Sequence, residues 1–216
     1  MRALLVVAIG AGLFGVIATA PGDAHALTPG ARAEAGDLGP FLHAAAGNEA
    51  RPGDGAPLAS VTPTTWVSPY RGGTGGGYFT RACPVGEIAV GFHGRAGSYV
   101  DQIGLVCAYV NPDGSLGPDD WQSTVGGAGG GFFFSRCPLG YAIGGLAGRS
   151  GSYIDQIQPV CRSLSGDAIY YGPSAGGSGG GPWVDIAPPR HFLTQLMGRA
   201  GSYIDAVQGV HQYVMP

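Results

Sequence analysis

Three stretches of this chain are near copies of one another: "GRAGSYVDQIGLVC" at 94–107, "GRSGSYIDQIQPVC" at 148–161 and "GRAGSYIDAVQGVH" at 198–211. No other feature narrows the possible folds as much, because repeats too small to be stable alone must share one interior. Glycine runs precede them: "GGTGGG" from Gly72, "GGAGGG" from Gly126 and "GGSGGG" from Gly176. Each run leads its Gly-Ser-Tyr turn by 25 residues, while the copies start 54 and then 50 residues apart. Fixed spacing inside and variable spacing between predict three folded repeats, at about 66–115, 121–169 and 171–216, joined by surface loops.

Each repeat reads as β. Ile88, Val90 and Phe92 alternate with Ala89 and Gly91, which predicts a strand with one buried face. Ala142, Gly144 and Leu146, then Phe192, Thr194 and Leu196, hold the same places in the other repeats. A polar turn follows, then a second apolar run centred on Ile103, Ile157 or Val207. No segment of 61–216 has a helical period, and 42 glycines with 17 prolines in the whole chain favour turns over long helices. The expectation is a single all-β domain over 61–216. Trp66, Trp121 and Tyr171 before the glycine runs, and Phe79, Phe133 and Trp183 within or just after them, are expected in its core.

The cysteines fit the same registration. Cys83 and Cys107 lie 24 residues apart, as do Cys137 and Cys161, and the third repeat has Ala187 and His211 at the matching places. Loss of both partners together predicts disulfides within a repeat. The amino-terminal segment agrees with an oxidising destination: Arg2, an apolar run from Ala3 to Ala20, and Ala24-His25-Ala26 as a cleavage pattern predict an export signal at 1–26. Residues 27–60 are rich in Ala, Gly and Pro with few large apolar side chains, and read as a flexible leader. The expected protein is secreted, without stable membrane insertion after cleavage.

Several function classes find no support. The histidines His93, His191 and His211 occupy different places in their repeats, and no nucleophile elbow, zinc-protease helix or recurring carboxylate pair is present. Asp119 and Asp120 read as a solvated inter-repeat turn. A net charge of −3 with no lysine gives no phosphate-binding footprint, so nucleic acid is not an expected partner. No cofactor and no metal is implied.

The segment "VGFHGRAGSYVDQIGL" at 90–105 resembles the final hairpin of jacalin-related lectins, and "CPVGEIAVGF" at 83–92 is similar to the Cys-Pro strand of vitelline membrane outer layer proteins. Both resemblances imply a β-prism: three Greek-key sheets around a pseudo-threefold axis. The lectin resemblance further implies a non-catalytic carbohydrate-binding protein whose sugar sits on a G-x-x-x-D loop beside a glycine-rich loop. Carried over by position, that loop is Gly97, Ser98, Tyr99 and Asp101 in the first repeat. It is Gly151, Ser152, Tyr153 and Asp155 in the second, and Gly201, Ser202, Tyr203 and Asp205 in the third. The aspartate would accept sugar hydroxyls, backbone N–H groups at the Ser and Tyr positions would donate, and the tyrosines would add an apolar face. In the lectin family galactose preference accompanies a processed amino terminus beside the site, so by this resemblance a leader before the first repeat leans the expected ligand towards mannose or glucose. Other readings stay open: the aspartates stabilise their own turns, with Arg95, Arg149 and Arg199 pairing to them, and the glycine runs are tightly packed strands. The chain is then a structural coat protein, or a module that recognises protein, without sugar binding. Three intact loops mean three sites, or a turn that the fold itself demands.

Overall fold

The computed structural model describes residues 60–215; the expected export signal and nearly all of the expected leader lie outside them. The first repeat supplies short outer strands β1 (Val61–Val67), β2 (Arg71–Gly72) and β3 (Gly77–Ala82), then a hairpin of β4 (Glu87–Ala96) and β5 (Val100–Tyr109). The second supplies β6 (Asp120–Trp121), β7 (Val125–Gly126), β8 (Gly131–Arg136), β9 (Tyr141–Ser150) and β10 (Ile154–Ser163). The third supplies β11 (Ile169–Tyr171), β12 (Ala175–Gly176), β13 (Gly181–Ile186), β14 (His191–Ala200) and β15 (Ile204–Val214). Among the described residues there is no helix.

These strands form three antiparallel sheets of five strands, and no sheet is built from one repeat. Hairpin β4–β5 is flanked by β6, β7 and β8 of the second repeat, and hairpin β9–β10 by β11, β12 and β13 of the third. The circle closes when β1, β2 and β3 of the first repeat flank hairpin β14–β15 of the last. Each hairpin therefore depends on its successor for its edges, which leaves few exposed strand edges. The three-repeat β-prism expected from the sequence is present, with its outer strands exchanged cyclically.

The alternation across Ile88, Val90 and Phe92 does not put them on one face. In β4, Ala89 pairs with Cys107 but Gly91 pairs with Val106, so Val90 is the extra residue of a β-bulge. Equivalent shifts fall at Gly144 and Thr194. The bulge reverses the phase: Ala89 and Phe92 enter the main core, while Ile88 and Val90 join a second cluster with Ala142, Phe192 and Val214. Seven of the ten residues of β4 are thus buried, on either side. Ile103, Ile157 and Val207 lie in the main core, as expected.

Both disulfides form as expected, Cys83–Cys107 and Cys137–Cys161. Cys83 follows β3 and Cys107 lies in β5, so the first bridge ties two different sheets, and the second does the same from β8 to β10. At the third junction His211 is fully buried, and Trp66 stands opposite it with ring centroids 5.1 Å apart. The aromatic residues before the glycine runs are not one structural position. Trp121 and Tyr171 pair with Val106 and Val160, but their equivalent opposite Val210 is Val67, one residue after Trp66.

Nor do those residues belong to the core. Trp121 is 47 % exposed and Tyr171 is 45 % exposed, whereas Phe79 and Trp183 are buried and Phe133 packs against the main cluster. Trp121 lies across its own sheet, stacked on Phe134 at 4.9 Å and tilted against His93 at 4.7 Å. Asp119 is not merely solvated: Arg136 grips its carboxylate through Nε and Nη2 at 2.7–3.0 Å.

Burial pushes the His211 imidazole down from its ordinary value of 6.5 to about 3, chiefly because the charged form would be desolvated. An unfolded chain takes up this proton below pH 6.5 and the folded chain only near 3, so His211 erodes stability as pH falls between those values. The slope is about 1.4 kcal/mol per pH unit at full effect. Urea unfolding of wild type and His211→Leu between pH 7 and 4 should give curves that converge or cross towards acid. Parallel curves would contradict this assignment.

Candidate functional site

The three Gly-Ser-Tyr turns share one backbone form. The N–H of Gly97, Gly151 and Gly201 donates to the carbonyl of Tyr99, Tyr153 and Tyr203 at 2.9–3.0 Å. Just beyond each turn the strand register slips. Ala96 pairs with Val100 and Arg95 with Gln102, leaving Asp101 as the extra residue of a second bulge. Asp155 and Asp205 are placed identically. A bulge re-aims a side chain, and here it turns each aspartate inwards: Asp101, Asp155 and Asp205 are only 4 %, 6 % and 5 % exposed.

What receives them is the glycine run of the following repeat. The N–H of Gly73, Gly127 and Gly177 donates to the main-chain carbonyl of Asp205, Asp101 and Asp155 at 2.7–2.8 Å. The carboxylates lie against Gly75–Gly76, Gly129–Gly130 and Gly179–Gly180, where a Cβ would strike their oxygens. Gly76, Gly130 and Gly180 also have φ of 58–61°, in the left-handed region. The runs are therefore neither plain strands nor free ligand loops: they wrap a carboxylate. Oδ2 of Asp101 is buried without a hydrogen-bond partner among the described residues.

The arginines do not pair with these aspartates. Arg95 forks onto the carbonyls of Gly129 and Gly130 at 2.7 and 2.6 Å. Arg149 does so with Gly179 and Gly180, and Arg199 with Gly75 and Gly76. Their role is structural, as one reading had it, but they clamp the neighbouring glycine run. Arg199 also lies 4.1 Å from the centroid of the Tyr78 ring.

The tyrosines converge on one another. Tyr99, Tyr153 and Tyr203 meet pairwise with ring centroids 5.2–5.3 Å apart, forming a trefoil where the three turns gather. Much of the apolar face that a sugar would use is spent on this contact.

The grouping of residues also differs from one loop per site. An open pocket of about 300 Å³ is lined by Gly73, Thr74 and Gly75 of the first repeat, Gly151, Ser152 and Tyr153 of the second, and Asp205 of the third. Gly127 approaches the Ser202 carbonyl and the carbonyl of Asp101, and Gly177 approaches those of Ser98 and Asp155, so the arrangement recurs around the axis. Each turn keeps its glycine near its own aspartate, since a Cβ on Gly201 would lie 3.8 Å from Asp205 Oδ2. The whole turn nevertheless serves the next site, as Gly151, Ser152 and Tyr153 do beside Asp205. Thr74, which lines the pocket, is a residue that sequence reasoning passed over. Its counterparts Ala128 and Ser178 differ, and variation within an otherwise uniform glycine run was the available signal. Among the described residues no cluster of three His, Cys, Asp or Glu is placed to hold a metal ion.

No protein-family model matches the chain, and no curated protein matches it. Solved structures do. Malaysian banana lectin is 19 % identical, with a TM-score of 0.51 over 68 % of this chain and 98 % of its own. Calystegia sepium agglutinin is 20 % identical, with a TM-score of 0.53 over 70 % and 99 %. A mannose-specific jacalin-related lectin from Morus nigra, solved in complex with mannose, is 15 % identical, with a TM-score of 0.52 over 72 % and 99 %. At these identities the likeness concerns the path of the backbone, and with three exchanged sheets and their G-x-x-x-D turns, the chain has the β-prism fold of the jacalin-related lectins.

Proposed function

We propose that this chain is a secreted, non-catalytic carbohydrate-binding protein with three sugar sites at the end of the prism where the turns gather. The observation that carries the reading is the pocket that Asp205 shares with two backbone loops, Gly73–Gly75 and Gly151–Tyr153. A carboxylate is a strong acceptor for paired hydroxyls, and glycine lets main chain come close to a sugar ring. Thr74 and Ser178 add a hydroxyl at two of the sites, and Ala128 adds none at the third. Fold neighbours include the mannose-specific lectin and Calsepa lectin solved with a biantennary N-glycan, which supports mannose as the first sugar to try, with glucose beside it. Export is supported by the apolar segment with its Ala-His-Ala pattern and by the two disulfides.

Calorimetric titration with methyl mannoside, methyl glucoside and methyl galactoside tests this directly. Asp205→Asn keeps the side-chain volume but weakens the acceptor, and should cut affinity at its site about ten-fold or more. Binding unchanged in a stably folded Asp205→Asn variant removes the aspartate from the site. The coat-protein reading is favoured by the depth of the carboxylates, 4–6 % exposed. It expects no glycan to bind and the same substitution to lower thermal stability.

A further inference from the structure

At the other end of the prism the equivalent strand ends Val110, Leu164 and Val214 come together around the pseudo-threefold axis, and all three line one pocket of about 270 Å³. Phe192 adds to its apolar wall, and Asn111, Asp113 and Ser165 bring polar groups to its rim. Arg190 also lines it.

Arg190 sits where the fold asks for glycine. Three matching turns lead into the hairpins, closed by the N–H of Glu87, Tyr141 and His191 donating to the carbonyls of Pro84, Pro138 and Pro188. Their third residue is Gly86 with φ 85°, Gly140 with φ 76° and Arg190 with φ 60°. A left-handed conformation there is the mark of a type II turn, which favours Gly or Asn. Arg190 is the one positive-φ residue other than glycine among the described residues. Its carbonyl accepts the N–H of Val214 at 2.9 Å, which fixes its backbone at the pocket. Its guanidinium has no hydrogen-bond or ion-pair partner among the described residues. The other charged group of the rim, Asp113, is engaged by its own loop: its Oδ1 accepts from the N–H and hydroxyl of Ser115 at 2.8 and 2.6 Å.

We propose that this axial pocket is a second ligand site, independent of the sugar end, which takes a small molecule with an apolar body and a carboxylate, the carboxylate held by Arg190. The apolar ring of Val110, Leu164, Val214 and Phe192 accepts the body, and the fork of the guanidinium matches a carboxylate in two-point contact. Strain retained at one of three equivalent turns is explained by what that side chain does there.

The probe is octanoate, with 1-octanol as its uncharged counterpart, titrated into the intact protein by calorimetry and by amide chemical shifts. Octanoate should bind one site, with shifts centred on Val110, Leu164 and Val214, and octanol at least ten-fold more weakly. Arg190→Gly should reduce octanoate to the level of octanol. Its thermal midpoint should stay unchanged or rise, because relief of left-handed strain offsets the greater freedom of unfolded glycine. Arg190→Lys should keep part of the affinity. The proposal is overturned by octanoate failing to bind wild type, by equal binding to Arg190→Gly, or by a lower midpoint in that variant, which would make Arg190 a structural residue.

Discussion

Gly130→Ala is expected to destabilise the protein by about 2–5 kcal/mol, while Gly140→Ala costs only about 1–2 kcal/mol. Both glycines are left-handed, with φ of 61° and 76°. They differ in surroundings: a Cβ on Gly140 meets nothing within 4 Å, whereas one on Gly130 lies 2.5 Å from the Ala96 carbonyl carbon and from Asp101 Oδ2. The first substitution thus adds overpacking to backbone strain, and the second adds strain alone. Chemical denaturation of the two variants gives both numbers. Shortening Asp101 in the Gly130→Ala background should recover part of the loss, since contacting residues couple. Equal costs at the two positions would mean that the glycine run is not shaped around the aspartate.

The pair Ala187→Cys with His211→Cys is expected to close a third bridge and raise stability by about 3 kcal/mol, for a loop of about 25 residues. In a domain of this size that is roughly 6–12 °C in thermal midpoint. The backbone is already placed for it. Leu193 pairs with His211 as Ala89 pairs with Cys107 and Ile143 with Cys161. The N–H of Ala187 donates to the bulge carbonyl of Gly144 at 3.0 Å, as those of Cys83 and Cys137 donate to Thr194 and Val90 at 2.8 Å. The same change removes the buried imidazole, so the variant should also lose part of its sensitivity to acid. Non-reducing peptide mapping with thermal melts checks both. Free thiols at 187 and 211, or a lower midpoint, would show that the third junction has relaxed around Trp66 and His211.

How far the sequence reached is clearest at the aspartates. The repeat placed Asp101, Asp155 and Asp205 four residues after a turn glycine, and each does follow a hairpin turn at the same end of the domain. That they are bulge residues, folded under glycines of another repeat, was hidden, because a one-residue slip in pairing leaves no trace in the period of either strand. A separate slip of the same kind, at Val90, defeated the alternation over Ile88, Val90 and Phe92. In each case the register was set by a partner strand, not by the strand itself.

By itself the sequence determined the local units. Short-range spacing set the three hairpins and their turns, and the paired loss of Cys83 and Cys107 equivalents at Ala187 and His211 set the disulfides. The all-β class followed from the same short segments and the glycine content. Tertiary structure alone decided which outer strands border which hairpin, that Arg95 serves Gly129 and not Asp101, and that Tyr99, Tyr153 and Tyr203 spend their rings on one another. Such contacts join residues from different repeats, where three nearly identical copies offer nearly identical partners. Closing all three sheets in one circle, with every hairpin edge covered, selects among them, and that condition belongs to the whole domain rather than to any segment.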